Sequence, residues 1–340
     1  MRVLVTGACG NVGAFTVALL RERGHEVVAF DVETPKTRRT AAVFGTTGVT
    51  ARFGDIRDAA LVRELVDGAH HVLHLAAVLP PVSDENERLA FDVNVGGMRN
   101  VIAACQAQTA PPTVVFCSTP AAYGRNLENR GLRRADEPLH PEDAYGRSKV
   151  ECETLLRASG LEHVIFRLAA APPISLANVS PFLFEFHPEV HIEFTHPRDV
   201  ALALANTVGR GDLGGKVLLI GGGAANRMDY VDFFNAALGV LGIAPLPREA
   251  FGERLFYSDW LESEESDQLL RYRQHGFQTY LDELRDLVGP ARHLIRPFAG
   301  VARAYMLAHS RPYAVATGRR AWMRDLHEFA ARRRRGSRQT

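Results

Sequence analysis

At 340 residues the chain suits one large domain or two closely joined ones, and its 46% apolar complement is that of a globular protein. A formal net charge of +1 gives no whole-chain field for nucleic acid or a membrane surface, so neither is expected as a partner. Four singly placed cysteines, Cys9, Cys105, Cys117 and Cys152, lack zinc or CxxC redox spacing, which predicts free thiols in a reducing cytoplasm.

The amino terminus has no signal-peptide pattern, and no stretch reaches the roughly 18 apolar residues of a membrane helix. The Arg, Ala and Gly bias fits a GC-rich bacterial genome. In chain order, short β-branched runs at 2–7, 26–31, 49–54, 71–77, 113–118 and 163–169 read as buried parallel strands. Helical periodicity lies between them at 11–23, 58–67, 87–108 and 142–159, with Gly24 and Gly160 as stops. This alternation predicts βαβ units, an α/β fold with a doubly wound parallel sheet. Further strands are expected at 191–194 and 215–222, and helices at 197–208 and 228–242. From Trp260 to about residue 331 the pattern is helical and strand-poor, a helical extension ending in the basic tail "ARRRRGSRQT". That tail reads as a solvated, frayed terminus, with a nucleic-acid or acidic-lipid role as the other reading. The expected division is a first domain over 1–170, with elements of 190–225 returning to it, and a smaller, mainly helical region over 171–340.

"VLVTGACGNVG" puts Gly7, Gly10 and Gly13 between the first strand and first helix. Glycine there permits a tight turn and close backbone approach, and the helix start offers free N–H groups to a pyrophosphate. Asn11 and Val12 belong to the same turn. Asp31 ends the second strand, where a carboxylate accepts adenosine ribose hydroxyls and repels a 2′-phosphate, favouring NAD over NADP. Lys36, Arg38 and Arg39 follow in "ETPKTRRT", read as a solvated basic loop, with phosphate binding as the other reading. Asp55, with Ile56 beside it, is placed to reach the adenine; alternatively it is a helix N-terminal acid, a role open to Asp58 as well.

Lysine occurs only at 36, 149 and 216 among 40 basic residues. Lys149 stands four residues after Tyr145 in "DAYGRSKVECE", so the two share a helix face. A phenol is a poor acid or base at neutral pH, and a nearby cation makes proton exchange practical. A compact ammonium serves both the phenol and a cofactor ribose, where a guanidinium fork would not.

Together "TGACGNVG" (6–13), Asp31, "GDIRD" (54–58), "HLAA" (74–77), "NVGG" (94–97), "VVFCSTPAAYG" (114–124), "YGRSK" (145–149) and "HPRDVALA" (196–203) resemble the extended short-chain dehydrogenase/reductase family, its NAD-dependent epimerase/dehydratase group. The resemblance spans about 1–225. It implies a Rossmann-like fold and a bound NAD. Thr119 would hydrogen-bond the substrate oxygen beside Tyr145, with Cys117 and Ser118 by the nicotinamide. Leu75, Ala76 and Ala77 would line the cofactor, Asn94 would sit next to the active site, and Arg167 and Leu168 would end a strand near the nicotinamide. It further implies a homodimer through helices 87–108 and 142–159.

Three departures narrow the reading. Pro120 and Ala121 stand where sugar 4,6-dehydratases of the family carry Asp–Glu, and Ala170 where many nucleotide-sugar members have asparagine. Only about 25 residues separate Arg167 from "THPRDVA", too few for the usual insertion. Phe182, Phe184 and Phe186 are either an apolar substrate wall or core. Arg125 is either an anion ligand or a surface arginine. His187, His191 and His196 fit no zinc spacing, and His70, His71 and His74 read as packing or surface residues. The expected function is hydride transfer at a secondary alcohol or ketone of a small non-nucleotide molecule. A sugar epimerase and a non-catalytic NAD sensor are the alternatives.

Overall fold

The computed structural model describes residues 1–45, 49–125, 131–175, 181–255, 257–291, 294 and 296–317; the basic tail lies outside them. In chain order the elements begin β1 (Arg2–Thr6), α1 (Asn11–Glu22), β2 (Glu26–Asp31), α2 (Pro35–Gly45), β3 (Thr50–Phe53), α3 (Ala59–Val66), β4 (His71–His74), α4 (Val82–Glu85) and α5 (Glu87–Gln106). They continue with β5 (Thr113–Ser118), α6 (Ala144–Ala158), β6 (His163–Leu168), β7 (His191–Glu193), α7 (Pro197–Ala205), β8 (Val217–Ile220), β9 (Arg227–Asp229) and α8 (Tyr230–Val240). The last are α9 (Glu264–Leu270), α10 (Phe277–Val288), α11 (Ala299–His309) and α12 (Arg311–Ala316).

Two compact units result: Met1–Pro173 with His191–Arg227 and Tyr257–Thr279, and Ile174–Val190 with Met228–Phe256 and Tyr280–Thr340. The first holds a seven-stranded sheet in the order β3-β2-β1-β4-β5-β6-β8, with every pairing parallel. The expected doubly wound architecture is therefore present. β7 stays outside this sheet and belongs to a separate two-stranded one.

Strand alternation divides the core. Val3 and Val5 of β1 turn to one face, with Val17 and Leu20 of α1 and Val200 and Leu204 of α7. Leu4 turns to the other, with Met98 and Val101 of α5 and Leu156 of α6. Side chains on a strand point alternately to the two faces, so a run apolar at every position needs helices on both. Strand order reverses between β1 and its neighbours β2 and β4, which opens a crevice at the carboxyl ends of those strands.

One sequence expectation is corrected. The stretch read as a basic loop is helix α2. Pro35 sits at its start, the Thr37 N–H donates to the Thr34 hydroxyl at 3.1 Å, and this cap stops the chain end from fraying. Arg38 pairs with Glu33 at 2.5 Å and Arg39 donates to the Pro35 carbonyl, so both are held locally.

In the second unit, Phe184 and Phe186 are buried. Phe184 packs on Phe234 and Phe251, and Phe186 edge-on to Tyr230. Of the two readings offered for these phenylalanines, core is the one the structure shows. The Phe182 side chain lies outside the described part.

Candidate active site

The glycine turn is built by close contact. A Cβ on Gly13 would stand 2.2 Å from the Gly7 carbonyl oxygen, and Gly7 itself has φ +70 with the Ala76 backbone nitrogen 2.8 Å from where a Cβ would go. No side chain caps α1 at Gly10. The first N–H groups of α1, from Asn11 to Gly13, therefore lack intrahelical partners, as a pyrophosphate site requires. Asn11 donates its amide to the Ala171 carbonyl at 2.8 Å, tying the turn to the segment after β6.

Asp31 accepts the Cys9 N–H and the Val32 N–H, each at 2.8 Å. Burial pushes its carboxyl above the usual range, opposed by these two donors. The remaining lone pairs of a fixed carboxylate suit a vicinal diol. Asp58 is the N-cap of α3, accepting from the Ala60 and Leu61 N–H groups, so Asp55 has no capping task. Asp55 instead receives Arg57 Nε at 2.9 Å and Nη2 at 2.5 Å, and these bonds hold its pKa low. Ile56 is buried beneath Gly97, where a Cβ would approach within 2.8 Å.

The Tyr145–Lys149 pair lies on α6, whose N-cap Asp143 accepts the Gly146 N–H at 2.6 Å. Gly146 brings the helix against the Ala121 carbonyl, 2.7 Å from a notional Cβ. Close approach there sets the start of α6, where Tyr145 lies, against the turn that begins at Thr119. Thr119 caps that turn, its hydroxyl oxygen accepting the Ala121 N–H at 3.2 Å and leaving its own proton to donate. Lys149 is 2% exposed. It donates to the Cys117 carbonyl at 2.7 Å, and its ammonium stands 4.6 Å from the Phe116 ring centre and 5.7 Å from that of Tyr145. Burial lowers the Lys149 pKa and raises that of the half-buried Tyr145.

A chain of contacts joins this pair to the glycine turn. Phe116, under Lys149, stacks on His74 at 5.8 Å, and His74 Nδ1 is hydrogen-bonded to the Thr6 hydroxyl at 2.7 Å. The Thr6 hydroxyl also accepts the Ala76 N–H, 3.2 Å away, next to Gly7. Leu75 is bonded to the Thr6 carbonyl, and Leu75, Ala76 and Ala77 are all partly exposed at the strand end. The glycine turn, the "HLAA" strand end, and Lys149 are thus brought together.

Other predicted residues have tasks within the protein. Asn94 is buried, accepting the Val78 N–H at 2.7 Å and donating to Ser148 at 2.9 Å, so it fixes the segment after β4 against α6. The Cys117 carbonyl holds Lys149, while burial pushes its thiol up to about 12. Ser118 donates to Glu153 at 2.6 Å. Arg167 gives Nε and Nη2 to Glu153 at 3.0 and 2.8 Å and Nη1 to the Tyr123 hydroxyl and the Ala135 carbonyl. Four of its five guanidinium N–H groups are therefore taken by protein groups, and its backbone stands at the strand end beside Leu168. Glu153 was missed in the sequence, although its spacing of four from Lys149 puts it on the same helix face.

Arg125 pairs with Glu142 at 3.3 Å, and Glu142 also accepts from Tyr257. The histidines do structural work: His187 accepts a backbone N–H, His196 caps α7, and His191 stacks on Trp260 and bonds Asp259. No group of three His, Cys, Asp or Glu residues among those described could hold a metal.

A parallel sheet reversing at β1, a glycine turn opening α1, and Tyr and Lys one turn apart beside the same crevice define a Rossmann-type short-chain dehydrogenase/reductase domain. Residues 3–241 match the NAD dependent epimerase/dehydratase family, and the chain belongs to it. UDP-glucuronate 4-epimerase 1 of Arabidopsis thaliana is 32% identical over 155 residues, 43% of this chain and 36% of that protein. The 3 beta-hydroxysteroid dehydrogenase type 7 of Homo sapiens is 33% identical over 162 residues, 45% of this chain and 42% of that protein. The chain thus spans about two-fifths of the length of these relatives. In fold it is similar to the dTDP-glucose 4,6-dehydratase DesIV of Streptomyces venezuelae, solved with NAD and TYD (TM-score 0.72, 23% identity, 87% of this chain and 99% of that one). It is also similar to the UDP-glucuronic acid 4-epimerase of Bacillus cereus, solved with UDP-glucuronic acid and NAD (TM-score 0.71, 20% identity, 84% and 100%).

Proposed function

We propose that the protein is an NAD-dependent oxidoreductase that interconverts a secondary alcohol and a ketone on a small, non-nucleotide molecule. The observation that carries this is the placement of Lys149 between the Cys117 carbonyl and the Tyr145 ring, joined through Phe116, His74 and Thr6 to the glycine turn. The residues fit a dinucleotide: free N–H groups at α1 for the pyrophosphate, Asp31 for the adenosine ribose, Lys149 for the other ribose. Bound there, the nicotinamide supplies the carbon that accepts or returns the hydride.

Tyr145 holds its proton firmly in its apolar setting, so it is a competent acid toward a carbonyl oxygen. In the reverse direction the same phenol takes the alcohol proton, and the Lys149 ammonium offsets the phenolate charge. Thr119 donates a second hydrogen bond to that oxygen and stabilises the charge that develops on it.

The match to plant UDP-glucuronate 4-epimerases favours a second reading, in which hydride leaves and returns within one turnover. The test is a panel of secondary alcohols, hydroxysteroids and UDP-sugars with added NAD. Stoichiometric reduced nicotinamide supports the oxidoreductase; inversion of a sugar with no net reduced nicotinamide supports the epimerase; neither product leaves a binding role. The proposal further takes the protein to be a cytoplasmic homodimer through α5 and α6, which Arg99–Glu151 and Arg147–Glu87 already clamp side by side within one chain.

A further inference from the structure

Charge is segregated along this nearly neutral chain. Residues 287–340 hold twelve arginines and only two acids, Asp325 and Glu328, a formal +10 that leaves residues 1–286 at −9. Between Leu287 and Arg324 there is no acid at all. The same region turns an apolar face to solvent. Leu294, Phe298, Val301 and Tyr305 are 75, 66, 68 and 63% exposed. Val301 and Tyr305 lie four apart on α11, with Ala304 and Ala308 exposed along the same side, while Phe298 is the helix N-cap and Leu294 precedes it. The opposite side of α11 is anchored. Ala299 is buried, Arg303 donates Nε and Nη2 to the Pro245 carbonyl at 3.1 and 3.0 Å, and Ser310 donates to the Ala250 carbonyl at 2.6 Å. An ordinary surface helix shows solvent its polar face; this one is held with the apolar face outward, and the exposed Arg296 and Arg311 stand at its two ends.

We infer that this face docks onto an anionic lipid bilayer, with Phe298, Val301 and Tyr305 entering the headgroup–acyl boundary and Arg296 and Arg311 contacting lipid phosphates. A helix lying in the interface needs this combination of an apolar stripe and flanking basic residues, and each arginine near an anionic leaflet adds attraction. Charge argues against the other occupants. The chain's own segment after Thr317 carries Arg319, Arg320, Arg324 and Arg332 to Arg335, and a second copy meeting it face to face would bring the same arginines; either would set like charges against Arg296 and Arg311. The inference departs from the expectation of no membrane partner, because whole-chain charge hides a local excess. It stands independently of the proposed reaction.

The full chain is sedimented with vesicles of phosphatidylcholine alone and of phosphatidylcholine and phosphatidylglycerol in equal parts. It is expected in the pellet with the second only, and released by added salt. Phe298→Ser, Val301→Ser and Tyr305→Ser combined are expected to raise the lipid needed for half-maximal binding at least about tenfold, with melting temperature and NADH binding unchanged. If that variant does not fold, hydroxyl-radical labelling of Tyr305 in the wild-type chain decides instead, expected strong without vesicles and suppressed by the anionic ones. No sedimentation, equal binding to neutral vesicles, full binding by the folded variant, or a Tyr305 protected without lipid would overturn the inference, the last because the face would already be covered by protein.

Discussion

Glu153 and Arg167 form a bidentate ion pair, at 3.0 and 2.8 Å, with both side chains 2% exposed. Burial alone would raise the Glu153 carboxyl, but the Arg167, Ser118 and Arg157 donors outweigh it and hold the carboxyl below its ordinary value. The pair lies one helical turn beyond Lys149 and directly under Ser118, so it fixes β5, α6 and β6 relative to one another. Removing one partner leaves a buried uncompensated charge. Glu153→Gln is expected to cost about 3–5 kcal/mol in urea denaturation, while Glu153→Gln with Arg167→Met is expected to cost less than the sum of the two single changes.

Gly13→Ala tests the turn. With a Cβ 2.2 Å from the Gly7 oxygen, α1 must shift and its N–H groups lose their alignment. NADH affinity by fluorescence titration is expected to fall about ten- to hundredfold, while Gly24→Ala, where nothing lies within 4 Å but φ is +77, is expected to leave affinity unchanged.

Cofactor choice rests on Asp31. Asp31→Ser removes the ribose acceptor and the charge that repels a 2′-phosphate, and is expected to move the NAD/NADP affinity ratio toward NADP by about tenfold or more. An unchanged ratio would take Asp31 out of the adenosine site.

Stability is expected to fall on acidification because of two buried histidines. Burial lowers His74 to about 3 and His71 to about 4. Between those values and about 6.5 the unfolded chain binds protons that the native protein refuses. Stability is therefore fullest above about pH 6.5 and declines as pH drops toward 4. Denaturation midpoints across this range are expected to lose about 1–3 kcal/mol for His74 alone, and His74→Leu is expected to show a shallower slope.

Much of this was legible in the sequence because the signals were local. Alternation at Val3, Leu4 and Val5 marked a strand covered on both faces, and the interval from Tyr145 to Lys149 marked a shared helix face. Helix α2 was obscured because Lys36, Arg38 and Arg39 resemble solvated loop, although Thr34 and Pro35 carried a start signal. The direction of the Arg167 side chain was hidden for a different reason. Its position at a strand end is local, but its partners Glu153, Tyr123 and the Ala135 carbonyl are set by tertiary packing. The part of His74 in linking Lys149 to Thr6 likewise depends on register between β4 and β5, where His74 pairs with Phe116.

The central claim is that the Tyr145 phenol exchanges a proton with substrate beside Lys149, and comparing Tyr145→Phe with wild type on whichever compound of the panel is turned over tests it most directly. Turnover is expected to fall about 10²–10⁴-fold with NADH affinity within about twofold of wild type. Undiminished turnover by Tyr145→Phe, with the cofactor still bound, would contradict the account.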